Sequence, residues 1–144
     1  MINLTIISAL LLSIIWHEAC HALALLAVGV KVRVIQIGTP VIYQRGCFSL
    51  GLFPFYGGVL ADAEDLNAVR RPAQVLYFAS GPAGNLLLGI GSILLGIFLN
   101  IYILKMLGLI SLSIGIFNLI PVPSLDGYRL LTISFRVPYR IQVI

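Results

Sequence analysis

Long apolar runs separated by short polar stretches dominate the hydrophobic pattern of this chain. Three of these runs reach the length of about 20 residues that a helix needs to cross a bilayer. We predict transmembrane helices over residues 3–29, 73–99 and 106–122. The composition agrees, because 60% of the 144 residues are hydrophobic, 10% are charged and the mean hydropathy is +1.07. The pattern therefore predicts an α-helical integral membrane protein, built as a single domain over residues 1–144.

The stretch between the first two predicted helices has a different pattern. The segments KVRVIQI (31–37) and CFSLGLF (47–53) are rich in β-branched and aromatic residues with partial alternation, which is typical of strands. FPFYGGVL (53–60) is too short to span a bilayer and too apolar for a free loop, which favours a re-entrant or interfacial segment. We therefore predict a small membrane-associated β-hairpin or sheet with a re-entrant segment over residues 30–60. The hydrophilic residues 61–71 predict a short surface helix.

The basic residues predict the orientation in the membrane. Residues 30–72 carry five Lys and Arg, and the C-terminal tail carries three Arg. Because basic residues concentrate on the cytoplasmic side, we expect residues 30–72 and the C-terminus to be cytoplasmic and the N-terminus to lie outside. No basic residue precedes the first run, so we do not expect a cleaved signal peptide. The basic residues form no stripe with aromatics, which gives nucleic acid no support as a partner.

The first apolar run contains the polar cluster HEACH. His17 and His21 are four residues apart, so a helix places them on one face, where both imidazoles can reach one zinc ion. Glu18 lies beside them and can act as a general base, as in the HExxH pattern of zinc peptidases. Ionisable residues inside a membrane span are rare and usually functional. The cluster therefore predicts a metal site, and the alternative interpretation is a polar contact between helices.

A catalytic zinc usually takes three protein ligands, and the chain has no third histidine. The two cysteines are weaker candidates, and the stronger ones are the remaining carboxylates: Asp62, Glu64, Asp65 and Asp126. The first three lie in the hydrophilic stretch, where a solvated side chain is the simpler interpretation. Asp126 follows Pro121 and Pro123, which break a helix and can expose irregular backbone that lines a site. Asp126 is therefore the favoured ligand, against the alternative of a plain turn residue.

The depth of Asp126 poses a geometric problem. His17 lies about 12 residues, or roughly 18 Å, before the predicted inner end of its helix. A straight third helix from Lys105 would carry Asp126 about 30 Å, to the inner membrane boundary. A tilt, or a bend at the two prolines, must therefore bring the carboxylate to the depth of the histidines.

Three blocks together resemble the site-2 proteases, a family of intramembrane zinc metalloproteases: HEACH (17–21), GPAGN (81–85) and NLIPVPSLDG (118–127). Their order and membrane placement agree with that family, and the resemblance covers about residues 1–130. It implies one Zn²⁺ per chain and the following roles: His17, His21 and Asp126 as metal ligands, Glu18 as the catalytic base, and Asn85 and Asn118 as residues that steady the substrate backbone or the oxyanion.

The resemblance implies that the protein hydrolyses peptide bonds in or near transmembrane segments of membrane proteins, as in regulated intramembrane proteolysis. Its partners would be a transmembrane protein substrate and the lipid bilayer; a regulatory membrane partner and a homo-oligomer stay open. We expect a minimal core without PDZ and CBS modules. One alternative function is a catalytically inactive family member that acts as a membrane-binding partner. A metal transporter is disfavoured, because the polar groups converge at one site and no internal repeat is present.

Overall fold

The computed structural model of the chain describes residues 2–61 and 63–135, as a mostly helical protein with one small antiparallel sheet. The elements in chain order are α1 (Ile2–Ala27), β1 (Val32–Arg45), β2 (Phe48–Ala61), α2 (Ala63–Ala68), α3 (Arg71–Phe98), α4 (Tyr102–Asn118) and α5 (Asp126–Ser134). Two of the three arginines behind the predicted cytoplasmic C-terminus, Arg136 and Arg140, lie outside the described residues.

Two helices, α1 and α3, are long and apolar enough to cross a membrane. Their bounds agree with the predicted spans 3–29 and 73–99 to within two residues. The third apolar helix, α4, has 17 residues and is therefore about 25 Å long, which is short for a bilayer core. A third spanning helix is thus not established by length. Large side chains such as Leu87 and Phe98 are 73% and 85% exposed on the outer faces, as a lipid-facing surface requires.

The predicted bounds of the third helix, 106–122, are wrong by four residues at each end. The helix begins at Tyr102 and includes Lys105 in its first turn, where the ammonium donates to the Asn100 side-chain oxygen at 3.2 Å. A lysine near a helix end can extend its charge past the apolar surface, so it need not mark a boundary. The helix ends at Asn118, since the approach to Pro121 disfavours helical backbone.

The sheet is a single bent hairpin of two 14-residue strands, joined by a tight turn that begins at Gly46. Residues 35–37 of β1 register both with residues 57–59 and with residues 48–50 of β2, so the hairpin folds back on itself. The backbones meet closely at the bend, where a Cβ on Gly38 would lie 2.9 Å from the Gly51 carbonyl oxygen. The predicted small sheet is confirmed, and residues 53–60, which were predicted as a re-entrant or interfacial segment, belong to its second strand.

The core lies at one end of the helix bundle and joins α1, β2, α2 and α3. It consists of Ala22, Leu25, Val30, Val59, Leu66, Tyr77 and Phe78. Small residues let the helices approach closely: a Cβ on Gly108 of α4 would lie 2.7 Å from the Gly89 carbonyl oxygen of α3. The Trp16 indole N–H donates to the Gly84 carbonyl at 2.9 Å and ties α1 to α3. The polar cluster of α1 is thereby fixed against α3.

Candidate metal centre and active site

The two histidines of α1 turn their Nε2 atoms toward one point in the interior. The helical spacing of four residues places the rings edge to face, with centroids 4.7 Å apart, and brings the Nε2 atoms of His17 and His21 to 3.1 Å from each other. Both side chains are buried. Two nitrogen donors at this separation in an apolar interior are an arrangement that suits a shared metal ion.

Asp126, the first residue of α5, completes the group from the other side. Its Oδ2 atom lies 3.1 Å from His17 Nε2 and 3.2 Å from His21 Nε2. Burial of the carboxyl acts to raise the pKa of Asp126, but hydrogen bonds to both histidines hold that pKa below its ordinary value. The start of α5 also favours an anion, because the helix dipole is positive there. The structure therefore brings together the three residues predicted as metal ligands.

The donor set fits a zinc ion. Tetrahedral zinc with ligands at about 2.0–2.1 Å separates neighbouring ligand atoms by about 3.3 Å, close to the distances between the three donor atoms. Gly81 of α3 keeps this space open, because a Cβ there would lie 2.6 Å from His17 Nε2 and closer still to His21 Nε2. Three protein donors leave one position of a tetrahedral ion for water or substrate.

Helix α3 holds both imidazoles from behind. His21 Nδ1 donates to the Tyr77 carbonyl oxygen at 2.7 Å, and the Ser80 hydroxyl donates to the same oxygen at 2.7 Å. The Asn85 amide nitrogen lies 3.2 Å from His17 Nδ1. Groups that bind the second ring nitrogen of a metal-ligating histidine fix the orientation of the ring. The residues of α3 therefore determine where the two Nε2 atoms point.

Glu18 faces a cavity of about 490 Å³ that also reaches His17. The cavity is lined by Leu10, Ile14, His17, Glu18, Gly57, Ser113, Ile114, Phe117, Asn118, Ser124 and Leu125. The Glu18 Oε2 atom has no hydrogen-bond partner among the described residues, and Gly57 of β2 packs against the same carboxylate. The arrangement places this carboxylate near the metal group, at the wall of a largely apolar cavity.

The two predicted asparagines occupy different places. Asn118 lines the cavity and donates its amide hydrogen to the Ile114 carbonyl at 3.0 Å. Asn85 is fully buried behind His17 and is absent from the cavity wall. The position of Asn118 suits contact with a substrate, whereas the position of Asn85 favours a role that acts through His17.

The other candidate ligands do not join the metal group. Among the described residues, Asp65 is exposed on α2, and neither Cys20 nor Cys47 belongs to the metal group. Asp62 and the side chain of Glu64 lie outside the described residues, so their candidacy is untested. Of the two candidate carboxylates whose side chains the structure describes, Asp65 and Asp126, only Asp126 lies beside the histidines.

Several residues of the site were missed by the sequence analysis. The Tyr77 carbonyl has no sequence signal, because every residue carries a backbone carbonyl. Ser80 and Gly57 had no distinguishing pattern either, although Gly57 belongs to the apolar segment already noted as unusual. Gly81 is different: it stands in the GPAGN block, and a close approach of backbone to a ligand is a recurrent reason for glycine.

Known proteins resemble the chain in sequence and in structure. The model of peptidase family M50 matches residues 5–102 and 99–141. A proposed zinc metalloprotease of Synechocystis sp. is 34% identical over 136 residues, which cover 89% of this chain and 31% of that protein. The site-2 protease from Methanocaldococcus jannaschii superposes with a TM-score of 0.69 and 25% identity, over 95% of this chain and 56% of that one. The chain therefore spans about a third and just over half of the lengths of these two relatives.

Proposed function

Because the chain belongs to peptidase family M50, the site-2 protease family, we propose that it is an intramembrane zinc metalloprotease. It hydrolyses peptide bonds in or near transmembrane segments of membrane proteins. The observation that carries this proposal is the convergence of two imidazoles and a carboxylate beside the unpartnered Glu18 in one buried site. A structural polar contact between helices would not leave a carboxylate unpartnered at a cavity.

The ligand set of the proposal is His17, His21 and Asp126, with one zinc per chain. When bound, the zinc supplies a Lewis acid that polarises a carbonyl and makes water a nucleophile near neutral pH. Helix α3 holds both imidazoles and the first turn of α5 holds the carboxylate, so the fold sets the positions of the three donor atoms. Such preorganisation is what a catalytic metal site needs.

Glu18 serves as the general base in this proposal. Its carboxylate takes the proton of the attacking water and later returns a proton to the leaving amine. Gly57 limits the space on one side of the carboxylate, which keeps it directed toward the cavity. Asn118, which also lines the cavity, donates the amide hydrogen that is not bound to Ile114 to the substrate backbone or to the negative oxygen that develops during attack. The apolar wall excludes bulk water from the remainder of the cleft.

The membrane arrangement follows from the same proposal. Helices α1, α3 and the shorter α4 cross the bilayer as one domain, with residues 30–72 and the C-terminus in the cytoplasm and the N-terminus outside. The short α4 fits if the bilayer is locally thin or if its ends are extended by the flanking apolar residues. A transmembrane substrate enters from the lipid and unwinds near the cavity, since the amides of a helix are shielded by their own hydrogen bonds. The hairpin edge can then hold the unwound strand.

The test uses the purified chain in liposomes with a membrane-embedded test substrate. We expect cleavage by the wild-type protein, its loss after treatment with phenanthroline, and its recovery on adding zinc. Glu18→Gln should abolish cleavage and leave the zinc content unchanged, because the amide cannot accept the proton but is not a ligand. Substantial proteolysis by Glu18→Gln would refute Glu18 as the base. Zinc binding without cleavage of any membrane substrate by the wild-type protein would instead indicate the inactive alternative.

A further inference from the structure

The environment of Asn85 is unusual for a buried amide. The side chain is fully buried, yet its Oδ1 atom has no hydrogen-bond partner among the described residues. Its Nδ2 atom donates instead to His17 Nδ1, at 3.2 Å. This contact requires that His17 carry its ring hydrogen on Nε2, where it is directed at Asp126 Oδ2. That form of the ring has no lone pair on Nε2 for a metal.

Metal binding imposes the opposite arrangement. A neutral imidazole that ligates a metal through Nε2 carries its hydrogen on Nδ1, which then needs an acceptor. His21 already has one, because its Nδ1 donates to the Tyr77 carbonyl at 2.7 Å. For His17 the group at this position is the Asn85 amide. A half-turn of that amide exchanges its nitrogen and oxygen and presents Oδ1 to Nδ1.

The packing keeps the amide in place for this role. Helix α4 lies directly behind Asn85. A Cβ on Gly115 would be 3.2 Å from the Asn85 Cβ, and the Ser111 hydroxyl donates to the backbone carbonyl of Asn85 at 3.0 Å. Helix α4 therefore holds the backbone and Cβ of Asn85 in place beside His17. Among the described residues, no other polar side chain forms a hydrogen bond with His17 Nδ1.

Resting on the zinc site of the proposed function, we propose that Asn85 is a positioning residue for the metal centre. Its side-chain carbonyl oxygen accepts the hydrogen of His17 Nδ1 and thereby keeps Nε2 free to ligate the metal. His21 Nδ1 donates to a backbone carbonyl, which a side-chain substitution cannot remove, so of the two Nδ1 partners only Asn85 can be changed by mutation. Asn85 then contributes to zinc affinity and does not touch the substrate.

The test compares four proteins prepared without a histidine tag: wild type, Asn85→Asp, Asn85→Leu and Ser92→Ala. Aspartate keeps the acceptor, and leucine of similar size removes it. Ser92 is a control on the same helix, buried two turns further along. Competition with a chelator gives the zinc dissociation constant. Because the chain has two histidines, NMR of ¹⁵N-labelled imidazoles resolves both rings and reports which nitrogen carries the hydrogen.

We expect Asn85→Leu to weaken zinc binding by about 10–100-fold and Asn85→Asp to stay within about threefold of the wild type. Ser92→Ala should change nothing. In the zinc-loaded wild type and in Asn85→Asp, both rings should show a hydrogen-bonded Nδ1–H, whereas in Asn85→Leu only His21 should. If Asn85→Leu does not fold, the comparison of Asn85→Asp with the wild type decides.

The inference is overturned if Asn85→Leu binds zinc as well as Ser92→Ala does. It is also overturned if Asn85→Asp loses about tenfold or more, since the amide hydrogens and not the oxygen would then matter. Neither readout involves proteolysis. A wild-type protein that binds zinc and cleaves nothing would therefore contradict the proposed function alone, and one that binds no zinc would contradict both.

Discussion

Replacing Gly81 with alanine tests whether the Nε2 atoms of the two histidines converge on a metal. The added Cβ would lie 2.6 Å from His17 Nε2 and closer still to His21 Nε2, whereas ordinary contact begins at 3.4 Å. The His17 ring must therefore move by about 0.8 Å, and the His21 ring by more. Neither ring can swing freely, because Tyr77 and Asn85 hold them from behind. Functional groups tolerate displacements of only about 0.5 Å.

We expect Gly81→Ala to lower zinc affinity by at least about 10–100-fold, the range seen when ligand orientation is disturbed. The fold should survive, because alanine stabilises a helix interior by up to about 1 kcal/mol relative to glycine. Gly91→Ala is the matched control, since it lies on the same helix with nothing within 4 Å of its added Cβ. The assays are chelator competition and thermal unfolding of the metal-free proteins. Zinc affinity of Gly81→Ala within about threefold of the control would refute the convergence.

Two further substitutions test the placement of Glu18 and the contribution of one buried hydrogen bond to stability. Gly57→Ala would place a Cβ 2.8 Å from the Glu18 carboxyl carbon, so we expect the flexible carboxylate to move and turnover of the membrane substrate to fall by at least about 100-fold. Its zinc affinity should stay at the wild-type value, and normal turnover would contradict the placement of Glu18. Ser111→Ala removes a buried hydrogen bond, and chemical denaturation should show a free energy of unfolding lower by about 1 kcal/mol. Ser113→Ala, whose exposed hydroxyl bonds within its own helix, should lower it far less; equal losses would disprove the estimate.

Local periodicity was sufficient to place two of the three residues of the metal group. His17 and His21 share a helix, and their spacing alone determines that they share a face. Asp126 could be favoured only by comparing the few carboxylates and by the resemblance of its surroundings to a family pattern. Its actual position depends on how α5 packs against α1 and α3, which no local pattern in the chain encodes. The grouping of these three residues was therefore predictable, while the distances between their donor atoms were not.

The role of Asn85 shows a different limit of sequence reasoning. The GPAGN block indicated that this residue lies near the site, and that placement agrees with the structure. Nothing in the block indicates whether the amide faces the substrate or the back of a histidine, since a small rotation of α3 about its axis would bring the amide to a different partner. The role of the Tyr77 carbonyl could not be predicted either, because every residue carries a backbone carbonyl. The predicted start of α4 failed because a single charge was used as a boundary, and its predicted end failed because the helix stops before Pro121.

The depth of Asp126 is explained by the early end of α4. The helix stops at Asn118, eight residues before the carboxylate, and residues 119–125 form tight turns instead of continuing it. Gly127 then packs so closely on the Leu119 carbonyl that no Cβ fits between them, which returns α5 to the end of α4. A straight helix would have carried Asp126 about 12 Å further along the axis. The prolines act by ending the helix and not by bending it. Gly115, near that end, already packs against Pro82 and Asn85 of α3, at the level of the histidines, so the early end of α4 keeps the carboxylate at their depth.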